Sequence, residues 1–381
     1  MPGGLIAPRT AAGWSGARAV LAVRLDGMGD MLMTTPALRA LKEAVPGRRL
    51  TVLASPAGAR IARALPFVDD VLEFAAPWMK HPGRADAARR TAALVSELQA
   101  RRFDAAVIFT VFSQSALPAA LALTLADIPL RAAHCRENPY ELLTEWIAEQ
   151  DLDVRAGVRH EVSRQLDLVA ALGAVPADTR LQFPVSDAAI AALARKLAAA
   201  RVQPPYIAVH PGATAPSRRY PLAQLAEAVA TLVRDHGYTV VAMGGEEDRA
   251  AAQALCRAGA AVSLAGELAL DELAAALACA QVVVANNSLA AHLAAAVGTP
   301  VCDLYALTNP QHTPWRVAHR LLNHDVGCRN CFKSVCPERH HRCLAAVAPA
   351  EVVRAVRELA TECVSRRAGG ASASPVLFLA A

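Results

Sequence analysis

The chain has 381 residues, of which 54% are apolar and 19% charged, and it carries a formal net charge of +5. Such a composition excludes a disordered polyelectrolyte, and the modest charge gives no ground for a nucleic-acid partner. The length exceeds what one hydrophobic core usually serves, so two domains of ordinary size are expected.

Residues 1–17 read as an N-terminal extension, whose apolar run before Arg24 is too short for a secretory signal. The protein is therefore expected in the cytoplasm, where clustered cysteines suggest a metal before they suggest disulfides. From there on, short apolar runs bounded by turn residues alternate with longer alanine-rich segments, the pattern of βαβ units around a parallel sheet. The expected class is α/β.

In the first half the strand candidates are "AVLAVR", "RLTVLAS", "DDVLEF" and "FDAAVIF". The first runs into "LDGMGDMLMTTPALRAL", where Gly27 and Gly29 permit a tight strand-to-helix turn with close backbone approach, and Asp30 serves either as a helix cap or as a catalytic group. Basic residues concentrate between Met79 and Asp104, which fits either a solvated helix face or an anionic partner or membrane surface. The longest apolar stretch, "AAVIFTVFSQSALPAALALTLADIPL", contains Gln114, Pro118 and Asp127 and reads as a buried strand followed by a helix. A helical pattern ending in Pro204-Pro205 reads as a hinge between two Rossmann-like domains that face each other across a cleft.

The second half offers "YIAVHPG", "YTVVAMGG", "AAVSLAG", "QVVVANN" and "PVCDLYA" as strands. In "HPGATAPSRRYP", Arg218 and Arg219 end a small-residue loop, where fork-shaped guanidinium groups suit a diphosphate as well as plain solvation. In "AMGGEEDR", Gly244 and Gly245 end a strand, and Glu246 either bonds ribose hydroxyls or simply opens a helix. In "VVVANNSLAAHLAAAVGTP", Asn287 or Ser288 can cap a helix whose N-terminus points at a phosphate, Gly298 is its natural stop, and His292 lies one turn inside. Cys328, Cys331, Cys336 and Cys343 then fall within sixteen residues and can close a tetrahedral zinc or iron site, or remain thiols or a disulfide. A closing helix is expected over residues 350–366 and a flexible tail over 367–381.

In order along the chain, the "GD" turn with "TTPALRAL", "HPGA" with "PSRRYP", "GG-E-D", "N-S---HLAAA-GTP" and "CDLYALTNP" resemble the heptosyltransferase family, the family 9 glycosyltransferases that transfer a heptose from ADP-heptose. The resemblance covers about residues 18 to 357. It implies a glycosyltransferase-B fold, with the acceptor on residues 18–200 and the nucleotide sugar on residues 201–349. It implies that Asp30, preceded by Gly29, is the catalytic base, and that Arg218 stands where the family usually has a phosphate-binding lysine, with Arg219 beside it. Glu246, after Gly245, matches a ribose-binding carboxylate, and Thr214 lies in the loop near the phosphates.

Asn287, Ser288 and Leu289 occupy a stretch the family usually writes "DSG", with His292 following. That departure motivates two alternatives, a different nucleotide sugar or an inactive nucleotide-sugar-binding protein. The resemblance implies no cofactor for catalysis, so an ion at the cysteine cluster would be structural. The acceptor is a hydroxyl of a lipopolysaccharide core, a protein or a natural product, and an anionic glycolipid would bring the protein to the periphery of the inner membrane.

Overall fold

The computed structural model describes residues 11–80, 86–149, 158–259 and 261–368. Most of the N-terminal extension and nearly all of the expected tail lie outside them. The chain divides into two compact units, Met1–Gln182 and Phe183–Ala381.

The first unit is built on β1 (Ala19–Arg24), β2 (Arg49–Ala54), β3 (Asp70–Glu73), β4 (Ala105–Phe109), β5 (Leu130–Cys135) and β6 (Glu145–Ala148), ordered β3-β2-β1-β4-β5-β6. All pairings are parallel, and Arg24 stands opposite Ala54 on one side and Phe109 on the other. Helices cover such sheets, which is why β1 and β4 read as unbroken apolar runs and are buried throughout their central residues. The second unit repeats the plan with β7 (Tyr206–His210), β8 (Val240–Ala242), β9 (Val262–Ser263), β10 (Ala280–Asn286), β11 (Val301–Leu304) and β12 (His319–Leu322), in the order β12-β11-β10-β7-β8-β9. In each sheet the order reverses between the first and fourth strands, β1/β4 and β7/β10, and ligands of open α/β sheets bind outside the carboxyl ends of the strands at that point.

Three strands, β5, β6 and β12, are not legible as strands in the sequence. β5 is Leu-Arg-Ala-Ala-His-Cys, with helix-forming alanines and two polar residues, and β6 and β12 are short edge strands with half-exposed residues. The long apolar stretch becomes β4 and the helix Leu117–Leu125. Among the described residues no helix is long and apolar enough to cross a membrane.

The helix after β1, Met28–Glu43, contains Pro36 in its interior, where proline removes the hydrogen bond to the carbonyl four residues back. Thr35 repairs the loss, since its hydroxyl donates to that carbonyl, Leu32 O, at 2.7 Å, while Thr34 donates to Asp30 O at 2.8 Å. The "TTP" triplet thus keeps one continuous helix behind the turn that carries Asp30.

The helix Asp187–Ala199, assigned to the first domain by the sequence reading, packs within the second unit. Leu193 and Leu197 are buried, and Lys196 Nζ donates to Glu272 Oε2 at 2.5 Å and to Glu267 O at 2.6 Å. Pro204 and Pro205 accordingly lie inside the second unit, just before β7. The helix Leu289–Ala296 stops as expected at Gly298, whose φ of +82° is a conformation that L side chains rarely adopt. The closing helix is Pro349–Ala368, and its Val352, Val356 and Leu359 join the core beside Val282, Val284, Cys302 and Leu304 of β10 and β11.

Candidate functional site

In the first unit the chain leaves the sheet at Arg24 and reaches Asp30 within the first turn of the Met28–Glu43 helix. Gly27 has φ −76° and ψ 178°, an extended conformation open to any residue, so the expected demand for glycine at this turn is not met there. The Gly27 N–H donates to Asp30 Oδ2 at 3.1 Å, which makes Asp30 a helix cap, and Asp30 Oδ1 lies 3.5 Å from Arg24 Nη2. The two readings of Asp30 are therefore compatible, because each oxygen has its own task.

Around it stand charged residues to which the sequence reading gave no role. Arg24 is fully buried, with Nε 3.2 Å from Asp26 Oδ2 and Nη1 3.5 Å from Glu161 Oε1. Asp26 Oδ1 accepts from Gln114 Nε2 at 2.6 Å, joining the loop after β1 to the loop after β4 across the switch point. Asp26 and Gln114 line a small cavity together with Trp78, Phe109, Thr110 and Ser115. Burial pushes the Asp26 carboxyl up to about 6 against the pull of Arg24, and pushes Glu161 up to about 7 against the pull of Arg164 and Arg24. Arg164 extends the network, with Nη1 3.4 Å from Glu161 Oε1 and Nε 2.5 Å from Glu149 Oε2. The one signal for this cluster in the sequence is an arginine closing an otherwise apolar strand.

In the second unit the loops after β7 and β10 meet at the other switch point. Asn286, fully buried at the end of β10, accepts from Tyr220 N at 2.9 Å and donates to Pro211 O at 2.8 Å, tying the "HPG" loop to β10. Asn287 Nδ2 and Ser288 Oγ are buried and have no hydrogen-bond partner among the described residues. Ser288 occupies the N-cap position of the Leu289–Ala296 helix but makes no side-chain cap, so its hydroxyl remains free for a ligand. Arg218 is half-buried, and its guanidinium makes no hydrogen bond or ion pair among the described residues. Burial and Asp303 drive the Tyr305 phenol up, while the His312 N–H that donates to it at 3.1 Å, Arg218 and Asn287 pull it down, so Tyr305, Arg218 and Asn287 share one neighbourhood.

The other expected residues are arranged differently. Thr214 and Arg219 are exposed, and Arg219 Nε donates to Ala213 O of its own loop at 2.7 Å. Glu246 is exposed and paired with Arg249, at 2.5 Å, on the same turn. The carboxylate turned into the loop is Asp248, which accepts the Gly245 N–H at 3.1 Å and lies 3.6 Å from His210 Nε2. A Cβ on Gly212 or Gly244 would overlap that carboxylate, so here the glycines are required by close approach. Leu289 opens its helix partly buried, and His292 is buried with its ring edge-on to His312 at 6.5 Å.

Cys328, Cys331, Cys336 and Cys343 are free thiols that line one small cavity with His340, and Cys328 Sγ lies 3.7 Å from His340 Nε2. Among the described residues, however, no three His, Cys, Asp or Glu side chains are placed so that they could hold a metal ion. The segment also braces the donor-side loop, because Ser217 N and Oγ donate to Ser334 O at 3.0 Å and Lys333 O at 2.7 Å.

Two doubly wound parallel units of this topology have the architecture of the glycosyltransferase-B fold. Residues 91–342 match the model of glycosyltransferase family 9 (heptosyltransferase), and the chain belongs to that family. It is 27% identical over 362 residues to lipopolysaccharide heptosyltransferase 2 of Escherichia coli K12, covering 89% of this chain and 98% of that protein. Among solved structures it is similar to a family 9 glycosyltransferase from Veillonella parvula, with a TM-score of 0.73, 19% identity, and coverage of 90% and 97% of the two chains. It is also similar to the E. coli ADP-heptose lipopolysaccharide heptosyltransferase II, with a TM-score of 0.70, 22% identity, and coverage of 90% and 99%.

The buried carboxyls make a prediction about stability. Folding raises the Glu161 pKa from 4.5 to about 7, so between those values the native state binds more protons than the unfolded chain, and this group's contribution falls as pH rises. Thermal melts of wild type and Glu161→Gln should therefore diverge, with the wild type losing stability relative to the variant between pH 4.5 and about 7. Parallel melting curves across that window would remove Glu161 from the titrating groups.

Proposed function

We propose that this chain transfers a heptose from ADP-heptose to a hydroxyl of a lipopolysaccharide core, in the cytoplasm, with inversion at the sugar carbon. The observation that carries the reading is the set of uncommitted polar groups at the switch point of the second unit: the Arg218 guanidinium, the Asn287 amide and the Ser288 hydroxyl at a helix N-terminus. Such groups hold a diphosphate, through charge-assisted hydrogen bonds and the helix dipole together. Family membership and relatives named as lipopolysaccharide heptosyltransferases support the choice of ADP-heptose and of the acceptor.

In the reaction, Asp30 takes the proton of the acceptor hydroxyl as that oxygen bonds to the anomeric carbon. The bond from that carbon to the β-phosphate oxygen breaks, and ADP leaves with its developing charge held by Arg218 and the helix N-terminus. Thr214, Arg219, Gly245, Glu246, Leu289 and His292 complete the donor-side set, with Glu246 leaving Arg249 to reach the ribose. No step needs a metal. The four cysteines line one cavity as thiols, in a placement that holds no metal among the described residues. They would form a structural clip only by closing on a zinc or iron ion and giving up their protons to become its ligands.

Measuring ADP release from ADP-heptose with a core lipopolysaccharide extract as acceptor tests the reading, with other nucleotide sugars run beside it. Turnover only with another sugar, or with none, overturns the donor. In the same assay Asp30→Asn should slow transfer by about 10² to 10⁴ while leaving donor affinity nearly unchanged. An asparagine Oδ1 at this third helical position can still accept the Gly27 N–H, so near wild-type turnover would leave Asp30 a capping residue alone. Arg218→Ala should weaken ADP binding by roughly tenfold or more, as loss of a charge-assisted hydrogen bond requires, and unchanged calorimetric affinity would remove it from the diphosphate site. Elemental analysis of protein purified without added metal should find about one zinc or iron per chain. Four freely titrating thiols and no metal would dispose of the clip.

A further inference from the structure

Arg24 is fully buried at the carboxyl end of β1, and three carboxylates surround its guanidinium: Asp26 at 3.2 Å from Nε, Asp30 at 3.5 Å from Nη2 and Glu161 at 3.5 Å from Nη1. A guanidinium is never deprotonated in a protein, so this charge is permanent, and out of water it acts strongly on its neighbours. All three carboxylates have other anchors, Asp30 through the Gly27 N–H. Asp26 accepts from Gln114 Nε2 at 2.6 Å, and Glu161 faces Arg164 at 3.4 Å and also accepts from Gln165 Nε2. They are also closed off, with side-chain exposures of 6% and 0%, against 23% for Asp30. Asp30 is therefore the member of the trio with the most access to an incoming molecule.

We propose that Arg24 is a positioning residue for the transfer reaction, holding the Asp30 carboxylate ionised and fixing the direction of its oxygens. One face of Asp30 is set by the Gly27 N–H at 3.1 Å and the other by Arg24, which leaves the rotamer little freedom. The β1 register, with Arg24 opposite Ala54 and Phe109, puts the guanidinium at the very end of the sheet, so its position is as rigid as the strand itself. Burying an arginine among carboxylates is costly, and a purely structural role would be served as well by an apolar residue facing neutral partners. The inference rests on the reading of Asp30 as the base.

The test is a cycle of Arg24→Met and Asp30→Asn, singly and together, assayed by ADP release from ADP-heptose with the core lipopolysaccharide extract. If Arg24 acts through Asp30, Arg24→Met lowers kcat by roughly tenfold to a hundredfold, the cost of a misdirected catalytic group, with donor KM little changed. The same change made on Asp30→Asn then costs less than about twofold, because the group it positions is already disabled. The acid limb of the pH profile of kcat/KM should also move up by about one unit in Arg24→Met, since a carboxylate losing a nearby cation becomes a stronger base. Arg24→Lys, which keeps the charge without the fork, should recover part of the rate and most of the limb. Where Arg24→Met fails to fold, Arg24→Met with Glu161→Gln removes the stranded buried carboxylate and carries the same comparison. Equal losses with and without Asp30, or an unmoved acid limb, would overturn the positioning role while sparing the base. Near wild-type turnover by Asp30→Asn would instead overturn the base, and the role of Arg24 with it.

Discussion

Parallel strands can be joined only by crossovers, and that constraint orders everything else in this protein. Each sheet is started in its middle and built outward first on one side and then on the other, so that β1 meets β4 and β7 meets β10 as inner neighbours. At those two places the connections leave toward opposite faces, and the carboxyl ends of the strands are left uncovered. The loops of the proposed site, "DGMGD" after β1, "HPGATAPSRR" after β7 and "NNSL" after β10, all begin there.

An uncovered strand end is also where backbone polar groups lose their ladder partners, and buried side chains replace them. Asn286 bonds the backbone on both sides of the β7/β10 gap, and Asp248 caps Gly245 from beneath the glycines of two loops. In the first unit, Gln114 spans the β1/β4 gap to Asp26. Asn287 Nδ2, Ser288 Oγ and both oxygens of the buried Asp303 are without hydrogen-bond partners among the described residues of the second unit.

The departure from "DSG" at Asn287, Ser288 and Leu289 takes on a local meaning in this setting. An amide at 287 stands near Tyr305 without adding a second negative charge beside the buried Asp303, whose carboxyl is already driven far up by burial. Leu289 is accommodated as the first residue of its helix, so the loop shape survives the loss of glycine there.

The sequence by itself determined the class, the strands with continuous apolar runs, the helix stop at Gly298 and the positions of the loops at the carboxyl ends of β1, β7 and β10, because each depends on local pattern or on one residue's backbone preference. It did not reveal β5, β6 or β12, whose pairing is supplied by neighbouring strands and not by their own propensity. Nor did it show that the helix Asp187–Ala199 packs with the second unit, a matter of the distant Glu272 and Glu267. The loop carboxylate expected at Glu246 is taken up by Arg249, and Asp248 two residues on faces the glycines instead, a difference set by which side of one short turn each residue occupies. Only the tertiary structure decided the surroundings of Asp30, since Glu161 is brought from a distant helix to the Arg24–Asp30 segment, and a charge cluster formed by burial leaves no periodicity in the chain.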